Sequence, residues 1–206
     1  MFSAEKIKAL SIEVSTRMSA KRYEHTRSVE ECAVALGEFF GITDISEIRA
    51  AALLHDVAKE IPLDVQIELL NSARVNLTRD DLESTGVIHS FTAPIIVKRD
   101  FPGFATENVL SAVEKHTVGA ENMTLFDKII FISDYVEFTR PYPSCREVRD
   151  FLFSGISELT YEERIGRLDN ACVMAIDFTI KSILKRSQTV NQKIYKTRCA
   201  LLKKKM

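Results

Sequence analysis

Tryptophan is absent from this chain, and glycine and proline number only seven and five in 206 residues. Turn-rich β architectures need more such positions, and no alternating apolar pattern bounded by turn pairs recurs, so an all-helical fold is expected. No apolar run reaches the ~18 residues of a membrane span. The start, Met1-Phe2-Ser3-Ala4-Glu5-Lys6, has no apolar signal core, and a cytoplasmic protein is the expectation. Cys32, Cys145, Cys172 and Cys199 lie far apart without metal or redox spacing and are expected as reduced packing residues. Acid is missing from one region: residues 181–206 hold nine Lys or Arg and no Asp or Glu, against 19 basic and 29 acidic residues elsewhere. Tyr195 is the sole aromatic there, which disfavours nucleic acid and favours a solvated basic tail, about 185–206, lying on an acidic body.

What is present reads as a succession of capped helices. Ser3 starts a helix to about Ser15, and Ser19 starts one that runs to Phe40 and stops at Gly41. His25 falls on the apolar stripe of Val29, Ala33, Leu36 and Phe40. Thr43 and Asp44 precede a third helix, expected to carry Ala50-Ala51-Ala52-Leu53-Leu54-His55-Asp56-Val57-Ala58-Lys59 and to end near Glu60, before Pro62. Pro62 opens a fourth to about Ala73, and Thr78 with Asp81 caps a short turn. Pro94 suits a first helical turn, placing His89 at or just before that helix's N-terminus. Thr106 caps a helix whose apolar face ends on His116, and Thr124 with Asp127 caps the apolar run that reaches Asp134. Ser144 with Glu147 caps a short helix, and Thr160 with Glu163 caps the long last one. No repeat or linker divides the chain, so one domain over 1–206 is expected.

Histidine is also scarce, with four in all, yet each falls on an inward face or a helix end. Asp56 and Asp134 follow dense apolar runs, where an unpaired carboxylate would cost several kcal/mol. Four imidazoles and two carboxylates suit one two-metal site. Asp56 would bridge, with His25, His55 and Asp134 weighted to one ion and His89 and His116 to the other. Lacking soft ligands, the set accommodates Fe, Mn, Co or Zn. Asp56 and Lys59 are the candidate catalytic residues. Lys59 stands four positions after His55, so on a continuous helix both share a face. Lys59, Arg27, Arg140 and Thr117 are the candidate phosphate contacts.

His25, the Leu54-His55-Asp56 run with Lys59, and the distant Asp134 resemble the signature of HD-domain metal-dependent phosphohydrolases. The blocks Arg22-Tyr23-Glu24-His25-Thr26, Ile88-His89-Ser90, His116-Thr117-Val118-Gly119 and Asp127 to Glu137 are similar to the YqeK family within that superfamily. The resemblance spans residues 22 to about 150. It implies a compact multi-helix HD-type fold with a long C-terminal helix. It further implies a di-iron centre, with Mn, Co, Zn or Mg as alternatives, held by His25, His55, Asp56, His89, His116 and Asp134, and symmetrical hydrolysis of diadenosine tetraphosphate to two nucleoside diphosphates. Ser90, Val118, Ser133 and Phe138 depart from the residues usual in that family, and none is a ligand. Other HD enzymes act on nucleoside monophosphates, alarmones or cyclic dinucleotides, and a non-catalytic nucleotide sensor is a third reading. A small nucleotide is the expected partner, and a homodimer is compatible with the sequence.

Overall fold

The all-α expectation holds in the computed structural model, which describes residues 1–203. Among them the chain forms α1 (Ala4–Ser15), α2 (Ala20–Phe39), α3 (Ile45–Leu54), α4 (Leu63–Ser72), α5 (Arg79–Glu83) and α6 (Ile88–Asp100). It continues with α7 (Glu107–Lys115), α8 (Leu125–Val136), α9 (Pro143–Phe153), α10 (Tyr161–Lys185) and α11 (Gln192–Lys203). Ser3, Ser19 and Thr106 accept the backbone N–H three residues on, and Thr78, Thr124 and Thr160 form full capping boxes. Each satisfies N–H groups that the first turn leaves open.

The centre of the molecule is α3. Ala50 to Leu54 are fully buried, the pattern of a helix apolar on every side and enclosed by others. Its neighbours are α1, α2, α7 and α8, while α10 covers α8 and α9. Small side chains at Ala50, Ala51 and Ala52 let these helices approach closely, so whatever follows α3 emerges in the middle of the bundle.

Four local expectations change. The third helix ends at Leu54 rather than near Glu60, and three-residue turns replace it, with Val57 N bonded to Leu54 O, Lys59 N to Asp56 O and Ile61 N to Ala58 O at 3.1, 2.9 and 3.2 Å. Pro62 disfavours α geometry at the residue before it, and the tighter turns keep His55 through Ala58 buried. Pro94 lies inside α6, because a 3₁₀ turn over Thr85–Val87 leads straight into the helix and starts it at Ile88. At α9 the first turn begins with Pro143, so Ser144 is inside and caps nothing. Of the cysteines, Cys199 is exposed rather than packed.

A fifth change concerns the basic tail. The chain breaks after Lys185, with Ser187 in the left-handed region at φ 53°, and returns as α11. Ile194, Thr197 and Leu201 are buried against the body, so most of the tail is a docked helix. Lys204 and Lys205 lie outside the described residues. Charge complementarity does operate: Lys193 Nζ donates to Asp81 Oδ1 and Oδ2 at 2.7 and 2.8 Å, and Arg198 pairs with Asp177. Asn191 Nδ2 also donates to Asp81 Oδ1 at 2.9 Å.

Burial alone would raise the Asp81 carboxyl, but Lys193, Asn191 and Thr78 outweigh it and hold it down at about 2. A carboxyl depressed on folding contributes stability that is full above its unfolded value of about 3.9 and is lost as pH falls through the folded value. We expect amide exchange across α11 to accelerate between about pH 4 and pH 2 before the core opens, with about 2 kcal/mol at stake. Exchange protection of α11 that stays constant down to pH 2 would refute this coupling.

Candidate metal centre

The side chains of His25, His55, Asp56, His89, His116 and Asp134 meet where α2, α6, α7 and α8 surround the end of α3. Their donor atoms form two groups, His25 with His55 and Asp134, and Asp56 with His89 and His116, each with all atoms within 4.8 Å of one another. Asp56 faces both. Its Oδ1 lies 3.2 and 3.6 Å from the Nε2 atoms of His89 and His116, and its Oδ2 lies 3.5 and 3.8 Å from those of His55 and His25.

The backbone decides which imidazole nitrogen looks inward. His55 and His116 cap α3 and α7, and their Nδ1 atoms lie 2.6 and 2.7 Å from the carbonyls of Ala52 and Val113. A carbonyl can only accept, so Nδ1 carries the proton and Nε2 presents its lone pair to the cluster. His25 Nδ1 is 3.2 Å from Glu137 Oε1, and Glu137 is itself held by Thr139. Nε2 of His55 is buried without a hydrogen-bond partner, and Nε2 of His25 has only Asp134 Oδ1 beside it, at 3.0 Å. Buried polar atoms are rarely left so. With two inward carboxylates, these lone pairs form a donor set suited to divalent transition metals.

The electrostatics point the same way. Burial alone would raise the carboxyls of Asp56 and Asp134. The surrounding imidazoles of His55, His116 and His89 hold Asp56 well below the usual carboxylate range, and Arg140 with His25 does so for Asp134. Burial pulls His25 down, yet Asp134 and Glu137 lift it to about 9, while burial takes His89 to about 4. The two carboxylates thus stay ionised, Asp56 buried and Asp134 half-buried.

The phosphate candidates divide. Lys59 reaches the cluster through the three-residue turns, not by α-helical phase with His55, and its Nζ lies 3.3 Å from both ring nitrogens of His89. Burial lowers its pKa against the opposing charges of Asp56 and Asp134. Arg140 Nη2 donates to Asp134 Oδ1 at 2.8 Å, and Thr117 Oγ1 lies 3.2 and 3.0 Å from Nε2 of His89 and His116. Arg27 is not brought to the cluster: it pairs with Glu30 and reaches Ser11. Arg22 takes that place, donating from Nη1 to Asp56 Oδ2 at 2.7 Å. It enters because Glu60 accepts from both N and Oγ of Ser19 at 2.6 Å, fastening the start of α2 beside the turns that carry Asp56.

Sequence reasoning passed over Arg22 and Glu137, and helical spacing could have found the first. Arg22 and His25 are three positions apart and share a face of α2, whereas Arg27 points elsewhere. The Nε atoms of Arg22 and Arg140 are buried without a hydrogen-bond partner. A cavity of about 470 Å³ opens beside them, lined by Arg22, His25, Arg140 and Tyr142 among others.

A family model described as HD domain matches residues 22–139. Among curated relatives, the protein named Bis(5'-nucleosyl)-tetraphosphatase, symmetrical, of Halalkalibacterium halodurans is 30% identical over 185 residues, covering 89% of each chain. Its namesake from Staphylococcus aureus is 32% identical over 152 residues, covering 73% of this chain and 74% of the relative. A solved structure described as a predicted HD superfamily hydrolase involved in NAD metabolism, from Clostridium acetobutylicum, superimposes with a TM-score of 0.82 at 29% identity, covering 99% of both chains.

Proposed function

The chain belongs to the HD-domain family, and from that premise we propose that it is a metal-dependent hydrolase of dinucleoside polyphosphates, cleaving diadenosine tetraphosphate symmetrically into two ADP. The observation that carries this reading is the pairing of opposite unmet needs in one buried place. The Nε2 lone pair of His55 lacks a partner, Nε2 of His25 faces only the Asp134 carboxylate, and the Nε–H groups of Arg22 and Arg140 lack a hydrogen-bond partner. The imidazoles call for cations, the guanidinium groups for an anion. The named relatives act, by their names, as symmetrical tetraphosphatases, which supplies the substrate.

We assign His25, His55 and Asp134 to one ion and His89 and His116 to the other, with Asp56 between them, and we take iron as the metal. Two divalent ions there would lower the pKa of water to near neutrality and offset charge on the phosphoryl oxygens. The protein's own residues do the rest. Asp56 turns one oxygen to each imidazole set, which fixes the spacing of the two halves. Glu137 and the carbonyls of Ala52 and Val113 hold three imidazoles in the Nδ1-protonated form. Lys59, Arg22 and Arg140 bind and orient the phosphate chain, keeping the cleaved bond over the centre, and their charge favours the more anionic transition state. Water adds to one central phosphorus, the bridging P–O bond breaks, and the second ADP departs. A nucleoside diphosphate is a good leaving group, so no dedicated general acid is assigned.

No described helix is long and apolar enough to cross a membrane. A cytoplasmic site of action suits the free thiols of Cys32, Cys145 and Cys172. Product analysis tests the proposal: metal-loaded protein should release two ADP per diadenosine tetraphosphate. ATP plus AMP, or turnover confined to monophosphates or cyclic dinucleotides, would overturn it.

A further inference from the structure

A second cavity, of about 560 Å³, lies beside Thr117, the residue that follows His116. The rings run His25, His55, His116, His89, with neighbouring centroids 5.6, 5.0 and 5.0 Å apart. The cavity beside Arg22 and Arg140 touches the His25 end. The second is walled by Thr117, whose Oγ1 contacts both His116 and His89. Its other side comes from the end of α10, the start of α11 and the link between them, all outside residues 22–139.

The lining has two characters. Val87, Val118, Ile183 and Ile194 give an apolar floor, and Ser84, Thr85, Gln188 and Thr189 give a polar rim. Arg186 stands at the same rim, its guanidinium bonded to the neutral Gln188 and Ser182 and, among the described residues, to no carboxylate. A flat aromatic base over apolar side chains, a ribose against hydroxyls and amides, and a cation facing the adjoining phosphate match these parts. The volume lies in the range of small-ligand sites. Cleavage at the middle of a symmetrical substrate also demands a nucleoside space on each side of the metal centre; one cavity is lined by His25 and the other by Thr117, the residue that contacts His89 and His116.

We propose that the cavity between Thr117 and the α10–α11 junction is a nucleoside subsite, taking one half of the dinucleoside tetraphosphate while the cavity beside Arg140 takes the other; this rests on the hydrolase reading above. The catalytic centre then belongs to the HD core, and selection of the nucleoside belongs in part to the C-terminal helices docked on it through Lys193, Asn191 and Thr197.

Two variants test it, Ile183→Trp, which fills the floor, and Arg186→Ala, which removes the rim cation with no steric burden. Each is compared with the parent for metal content, for steady-state constants with diadenosine tetraphosphate, and for inhibition by pyrophosphate, which carries no nucleoside. The expected result is a KM raised at least about tenfold for Ile183→Trp and about threefold for Arg186→Ala, with kcat, metal content and the pyrophosphate inhibition constant within twofold of the parent. KM within twofold of the parent in both variants overturns the subsite, and so does a pyrophosphate constant that rises in step with KM, since the damage would then be at the metal centre. A parent protein that does not turn over diadenosine tetraphosphate defeats the hydrolase reading itself, and the subsite falls with it.

Discussion

Asp56→Ala should abolish metal retention and lower kcat/KM by about 10³-fold or more. No other side chain of the cluster presents an oxygen to both imidazole sets, with Oδ1 3.2 Å from His89 Nε2 and Oδ2 3.5 Å from His55 Nε2. Without it, His89 and His116 keep no carboxylate, and two imidazoles alone bind a divalent ion weakly. Arg22 also loses the acceptor 2.7 Å from its Nη1. Arg22 is half-buried, and leaving such a donor without its acceptor costs about 1–3 kcal/mol. The variant should therefore melt lower than the parent even after chelation, and it should lose the further stabilisation that metal gives the parent. Metal analysis, melting with and without chelator, and the ADP-release assay measure the three effects. A variant that keeps about two ions per chain and activity within tenfold of the parent would show that Asp56 does not join the two halves of the site.

Much of this was legible because helices announce their limits. A Ser or Thr before an apolar periodic run fixed the starts of α1, α2, α7, α8 and α10, and the gathering of every histidine on an inward face pointed to one cluster. Two kinds of information were not local. The first was the path after α3: His55 and Lys59 look like helical neighbours four apart, but Pro62 and the burial of four successive residues impose tighter turns. Lys59 arrives at the cluster all the same, from another direction. The second was competition between charges of one sign. Arg22 and Arg27 lie on one helix, and their division follows from where the acids are: Glu30, buried and also paired with Arg49 of α3, takes Arg27, while Asp56 takes Arg22. In α11 the spacing of Ile194, Thr197 and Leu201 already marks an apolar stripe, but charge dominates the composition and hides it. A tail dense in lysine can still pack, since long basic side chains lay their stems on the body and send their ends to acids such as Asp81 and Asp177.

Lys59→Met tests whether position, rather than charge alone, puts a cation on the substrate. Among the described residues no carboxylate lies within 4.0 Å of the Lys59 ammonium, and the adjacent Glu60 is engaged by Ser19. The ammonium instead rests 3.3 Å from both nitrogens of His89, at the edge of the centre. A surface pair would contribute about 0–1 kcal/mol and leave catalysis untouched. A half-buried cation that lies near the charges of Asp56 and Asp134 but is bonded to neither is placed to meet an anion that arrives later. Methionine matches the stem and removes the charge, so fold and metal content should persist. The fall in kcat/KM should be roughly 10²–10³-fold, the size expected when a positioned donor to developing charge is lost. Lys59→Arg should recover part of it, because the charge returns on a longer and planar group. If Lys59→Met instead releases metal from the His89 side, the lysine serves to orient that imidazole. If kcat/KM is unchanged with metal intact, the phosphate contacts belong to Arg22 and Arg140 alone.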